Sequence, residues 1–179
     1  MTINLDRYPS VLVTKEMIQD SMERAPSATV HRTKASNLDT VYGLIGEYCF
    51  AVWLYGEWKQ HSKLDTKGKV DFIGEIEVKT SAFPFSDKLN LLVRQDYASK
   101  RKPKYYVQTI IDIPNRALTE INAGMKCILS GFETSEAVDQ APLRDFGSKF
   151  GGAGGYKCRY IPISSLKPMH ELKDYLASK

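Results

Sequence analysis

Cysteine and histidine are both scarce in this chain, and neither is arranged for chemistry. Cys49, Cys127 and Cys158 are odd in number, far apart and without zinc-ligand spacing. They exclude a disulfide framework and read as core thiols of a reducing compartment. His31, His61 and His170 are scattered singly, so no histidine pair points to catalysis. A long hydrophobic run is missing too, at the N-terminus and elsewhere, which argues against secretion or a membrane span and for a cytoplasmic protein. Excess charge of one sign is small: 25 Lys and Arg against 21 Asp and Glu leave +4. The whole-protein field is therefore not that of a histone-like binder, and any affinity for a polyanion has to come from local clusters. Glycine is concentrated rather than spread. In FGSKFGGAGGYKCRY four glycines surround Ala153, but no Lys-Ser or Lys-Thr ending follows, so a phosphate-binding P-loop is not indicated. Residues 145–157 read as a flexible surface loop, with a loop that orders on a ligand as the alternative.

What is present suits one domain. A chain of 179 residues with 42% hydrophobic content can bury a real core but not two comfortable ones. Residues 1–36 read as an N-terminal appendage with a short helix from Thr14 to Arg24, capped by Thr14 and carrying Met17, Ile18 and Met22 on one side. The body, 37–179, opens with the most regular helix of the chain, from Asp39 to Trp58. There Val41, Leu44, Ile45, Tyr48, Cys49, Val52 and Tyr55 recur at three- and four-residue intervals, after Ser36, Asn37 and Asp39 as capping side chains and ahead of Gly56 as terminator. Then come the β-rich runs DFIGEIEVKTS, LNLLVRQ, YYVQTIID and KCILSGF. This order predicts an α/β fold with a mixed central β-sheet flanked by helices.

DFIGEIEVKTS holds the candidate chemistry. Alternation in a strand puts Glu75, Glu77 and Lys79 on one face and Ile76, Val78 and Thr80 on the other. By itself this is an amphipathic edge strand with a solvated face. Asp71 stands six residues before Glu77, which along a straight strand is roughly 20 Å at ~3.3 Å per residue. A turn at Gly74 would bring the two together; if Lys67-Gly68-Lys69 is the turn instead, Asp65 takes the place of Asp71. Glu47 falls in a helical row with Gly43, Ala51 and Leu54, small neighbours that admit a close partner, and the expected partner is the sheet face bearing Glu77. Two carboxylates ~4 Å apart repel by about 4 kcal/mol at an effective dielectric of ~20, so such a pair makes sense around a divalent cation. Acids and a lysine in this arrangement suggest metal-dependent phosphodiester cleavage.

In order and spacing, GLIGEYCFAVWL, DFIGEIEVKTS, LNLLVRQD, YYVQTIID, the LSGF strand ending and SLKPMHEL resemble the PD-(D/E)xK nuclease superfamily, in particular its small phage-encoded members. The resemblance spans most of residues 43–172, with Val70 standing where the family's motif has proline. It implies a restriction-endonuclease-like core and Mg²⁺ as cofactor, with Mn²⁺ able to substitute. It further implies Asp71, Glu77 and the carbonyl of Val78 as metal ligands, Glu47 beside a metal-bound water or second ion, and Lys79 as the catalytic lysine. The location it implies is the cytoplasm, that of the host if the chain is phage-encoded.

A basic cluster, Lys100-Arg101-Lys102-Pro103-Lys104, directly precedes the strand beginning at Tyr105. With Arg94, and with Lys67 and Lys69 as further candidates, it would grip a DNA backbone without reading bases. Tyr105 and Tyr106 suit stacking on unpaired bases, but alternation sends one of them into the core. The expected activity is that of a DNA endonuclease. A Holliday-junction or flap resolvase, a DNA-binding protein that kept the fold without turnover, and a protein-binding accessory factor are the competing readings. A homodimer would suit double-strand or junction cleavage, but no feature of the sequence marks an interface.

Overall fold

The computed structural model describes residues 7–28, 34–60, 75–94, 103–114, 121–145 and 157–177. The chain runs β1 (Ser10–Leu12), α1 (Lys15–Ala28), α2 (Lys34–Tyr55), β2 (Ile76–Phe83), β3 (Asn90–Arg94), β4 (Tyr105–Asp112), β5 (Lys126–Thr134), α3 (Ser135–Asp139), β6 (Leu143–Asp145), β7 (Lys157–Pro162) and α4 (Met169–Ala177). Single 3-10 turns lie at Trp58–Gln60 and Ile163–Ser165.

YYVQTIID is apolar at consecutive positions, the pattern of a strand covered on both faces. As β4 it is buried everywhere except Asp112. It pairs in parallel with β2 and antiparallel with β5, and β5 pairs antiparallel with β1, giving a mixed sheet of order β1-β5-β4-β2. The ladder between β4 and β5 shifts at Gln108/Thr109, a bulge that lets Ser130 slip in between paired residues.

One face of this sheet is covered by helices. Phe50 and Ala51 of α2, with Met169 and Leu172 of α4, close over Ile76, Val78, Tyr105, Val107, Leu129 and Phe132. Val41, Ile45, Tyr48 and Cys49 cover Ile111 and Cys127, and Met17 of α1 joins them. Because neighbours surround α2, its buried residues run almost continuously from Val41 to Ala51 instead of forming a narrow stripe. The helix begins at Lys34, five residues earlier than its capping pattern predicts. It ends at Tyr55, three residues before the expected Trp58, where Gly56 adopts φ 82° and its N–H donates to the Val52 carbonyl at 2.8 Å.

The second face carries another sheet where helices were expected. β3, β7 and β6 form an antiparallel sheet in the order β3-β7-β6. Its Leu91, Val93 and Ile161 pack with Ile163, Leu166 and Val138 against Tyr106, Ile110 and Ile128. The fold is therefore mixed α/β, with two sheets and four helices among the described residues. Of the Gly-rich stretch 145–157, the two ends, Asp145 and Lys157, are paired in register; residues 146–156 lie outside the described residues.

The segment expected as an appendage supplies β1 to the central sheet and α1 to the helical layer, with Thr14 Oγ1 accepting from the Met17 N–H at 3.2 Å as its cap. At the other terminus, the chain before α4 returns to β5. Phe132 and Lys167 exchange backbone hydrogen bonds of 3.0 Å each way, and Lys167 Nζ donates to Glu133 Oε1 at 3.0 Å. The close approach needs Gly131, at φ 143°, where a Cβ would stand 2.7 Å from Leu166 Cβ.

Candidate functional site

β2 is one of the two edge strands of the central sheet among the described residues, β1 being the other. Ile76 and Val78 are buried toward the helices, whereas Glu77 and Lys79 project from the opposite face and remain partly exposed, at 31% and 23% of their side chains. Lys79 Nζ donates to Glu77 Oε1 at 3.2 Å. A partly exposed pair of this kind contributes at most about 1 kcal/mol to stability. Its value lies in holding an ammonium and a carboxylate together at an accessible sheet edge.

The register then shows which residues stand beside the pair. Glu77 faces Tyr106 and Lys79 faces Gln108 across the parallel ladder, and side chains opposite one another share a face. Tyr106 is thus the tyrosine on the Glu77 side, while Tyr105 turns to the helical side and meets Tyr175 edge-on at 5.9 Å. Burial pushes the Tyr106 phenol up to about 12, helped by the negative charges of Glu77 and Asp139 and opposed by a hydrogen bond with Ser135. The phenol stays neutral through the physiological range and so adds no charge to the Glu77–Lys79 pair.

Gln108 is almost fully buried, its amide donating to the Thr109 carbonyl at 2.9 Å. The sequence offered Tyr105 and Tyr106 for stacking on unpaired bases, but both are 5% exposed, so neither ring is open to a base; Gln108 was not singled out. The legible signal was Gln108 itself, an amide inside a largely apolar buried run, and Tyr106 shares its face by parity.

Lys104 belongs to the same end of the sheet. Its N–H and that of Tyr105 both donate to the Glu75 carbonyl, at 2.6 and 2.9 Å, and its own carbonyl accepts from Ser135 N–H at 3.1 Å. The last cation of the basic cluster is thereby fixed at the start of β4, two residues from Glu77 on the neighbouring strand, and is exposed. Lys100, Arg101 and Lys102 lie outside the described residues, as do Asp71, its rival Asp65, the turn residue Gly74, Lys67 and Lys69.

The helix that carries Glu47 covers the other face of β2 from the one expected. A Cβ on Gly46 would overlap Thr80 Oγ1 and lie 2.8 Å from Thr109 Oγ1, so α2 rests on the Thr80 face, opposite to Glu77 and Lys79. The predicted contact between Glu47 and the face bearing Glu77 is corrected accordingly. Alternation is the reason: one residue along β2 reverses the side. Glu47 is half-buried and follows Gly46 on that helix. Thr109 Oγ1 lies 2.9 Å from Thr80 Oγ1 and 3.3 Å from the Lys79 carbonyl oxygen, which fixes β2 beneath the helix. Arg94 is at the end of β3 in the second sheet, opposite Cys158.

For a metal, Glu77 and the adjacent Val78 carbonyl are the hard oxygen donors that β2 supplies. Among the described residues no three of His, Cys, Asp and Glu gather closely enough to hold an ion. No helix among them is long and apolar enough to cross a membrane. Comparison with protein families, with curated proteins and with solved structures returns no match for this chain.

Proposed function

We propose that the chain is a Mg²⁺- or Mn²⁺-dependent DNA nuclease, built on a restriction-endonuclease-like core and acting at the β2 edge. The observation that supports it best is the joint projection of Glu77 and Lys79, 3.2 Å apart, from one of the two described edge strands of the central sheet, with the basic segment ending at Lys104 anchored to the same end of the sheet. In this reading Glu77, the Val78 carbonyl and Asp71 hold the ion. When bound, the ion supplies Lewis acidity to the scissile phosphate. Lys79 places a fixed positive charge where negative charge develops on phosphorus, and its partner Glu77 keeps it oriented. It works as a cation, since an ordinary lysine is protonated at neutral pH. Lys104, with Lys100, Arg101 and Lys102, holds the backbone without reading sequence.

The test is purified protein with Mn²⁺ on plasmid, single-stranded, flapped and four-way DNA, beside Glu77→Gln and Lys79→Ala. Cleavage of at least one substrate is expected, falling by at least about 100-fold in either variant, the scale of losing one preorganised electrostatic contact. Intact substrates throughout refute the catalytic reading. DNA binding that persists without cleavage favours a binding protein that kept the fold. Asp71→Asn is expected to abolish cleavage without lowering metal-free stability, because it relieves carboxylate repulsion.

A further inference from the structure

The two sides of α1 differ. Met17 and Ser21 are buried, Met17 among side chains of α2, while Asp20 and Arg24 are tied to the Tyr48 hydroxyl. Lys15, Ile18, Gln19, Met22 and Glu23 follow one another at intervals of three, one, three and one, which at about 100° per residue gathers them on the opposite side. They line a groove of about 390 Å³. Ile18 is only partly buried, Met22 is 53% exposed, and Lys15, Gln19 and Glu23 are exposed. An apolar row of Ile18 and Met22 thus runs beside a polar row of Lys15, Gln19 and Glu23. The polar row reverses its charge about its middle. Lys15 and Glu23 each lie four residues from Gln19, about 6 Å along the axis at ~1.5 Å per residue. Gln19 is neutral, and its Nε2 donates to Glu23 Oε1 at 3.3 Å, which keeps the middle and the acidic end in one line.

We propose that this side of α1 is a self-docking surface, which takes α1 of a second copy of the chain antiparallel to itself. Charge complementarity selects that occupant. With a two-fold axis at Gln19, each Lys15 stands opposite the Glu23 of the second copy, so one surface supplies both halves of two ion pairs. The apolar rows fall together on one side of that line, with the two Ile18 at the centre and a Met22 beyond each. The two helix dipoles also oppose one another. A parallel copy would instead set Lys15 on Lys15 and Glu23 on Glu23. Glu16, about 100° round from Lys15, is left at the rim. One helix face is smaller than the about 800 Å² that each partner buries in a standard interface, so the dimer is weak and depends on concentration. This inference does not rest on the nuclease reading.

The experiment is sedimentation equilibrium of the full chain in low salt from ~10 to ~500 µM, the range of weak complexes. It compares wild type, Lys15→Glu, Glu23→Lys and the double reversal Lys15→Glu/Glu23→Lys; both side chains are exposed, so all four proteins keep the fold, which circular dichroism checks. Each single reversal sets like charges opposite one another at both ends of the row and is expected to weaken dimerisation about tenfold. The double reversal restores both pairs and returns wild-type association. An equimolar mixture of the two single variants, one with two acids in the row and the other with two lysines, is expected to form a mixed dimer tighter than either alone. Wild type that stays monomeric at the highest concentration overturns the proposal and leaves the groove to a partner of different sequence. Self-association that the single reversals leave unchanged, or that the double reversal fails to restore, places the contact elsewhere and overturns it equally.

Discussion

Tyr106 couples the candidate site to stability through its proton. Buried beside Glu77, its phenol keeps that proton up to about pH 12, whereas an unfolded tyrosine releases it near pH 10. Unfolding therefore releases a proton in this window, and stability falls as pH rises from about 10 to 12. By pH 11 the difference amounts to about 1 kcal/mol. Lys167 acts in the same direction: the hydrogen bond it donates to the Glu133 carboxylate holds its ammonium charged above the usual range. Its contribution is complete below about pH 10 and disappears as pH rises through the raised value. Urea unfolding at pH 9, 10 and 11 is expected to show Tyr106→Phe losing about 1 kcal/mol less than wild type over that range. Parallel curves for the two proteins would mean that the phenol is no better protected folded than unfolded.

At the scale of elements, the seat of α2 on β2 depends on one glycine of two. Gly43 and Gly46 are a turn apart on the same helix, yet a Cβ meets nothing within 4 Å at Gly43 and overlaps the Thr80 hydroxyl at Gly46. Gly46→Ala is expected to cost about 1–3 kcal/mol, because the helix must lift from the Thr80–Thr109 pair or force those side chains aside. Gly43→Ala is expected to stabilise by about 0.5–1 kcal/mol through helix propensity alone. Thermal melts of the two variants check both signs. If Gly46→Ala proves neutral, the close helix–sheet contact is wrong. The helical period and Gly56 terminator made α2 readable from sequence, and the β-branched and aromatic runs did the same for β2, β4 and β5. Which side of β2 the helix covers was not readable. That depends on whether Gly46 or its neighbour points at the sheet, a rotation of about 100° on a helix whose residues are apolar nearly all round. β6 was hidden for another reason: Leu143-Arg144-Asp145 is short and mostly polar, and pairs only because β7, across the Gly-rich stretch, stands beside it.

For the whole molecule, the N-terminal stretch touches both of the layers that pack on the central sheet. Tyr8 is buried in the cluster between the two sheets and meets Phe85 edge-on at 5.3 Å. Three residues of β1 then cross the edge of the central sheet, and Val13 and Met17 enter the helical layer. Arg7 closes a circuit to the other end of the chain, its Nη2 donating to the carbonyls of Leu166 at 2.6 Å and Ser164 at 3.0 Å. Residues 7–13 thus contact both faces of one sheet. Burying Tyr8 and Val13 is worth roughly 1.5–3 kcal/mol each, and hydrogen bonds from a charged group add about 1.5–3 kcal/mol. Against a total of about 5–15 kcal/mol for a domain, this loss is not tolerable. Deleting residues 1–13 is therefore expected to abolish the cooperative thermal transition and the near-ultraviolet dichroism while leaving helical signal, as the two faces lose their common strap. A truncated chain that melts cooperatively within a few degrees of the full one would show the segment to be an appendage after all. The domain proper would then begin at α1 or later, with Glu77 and Lys79 retained.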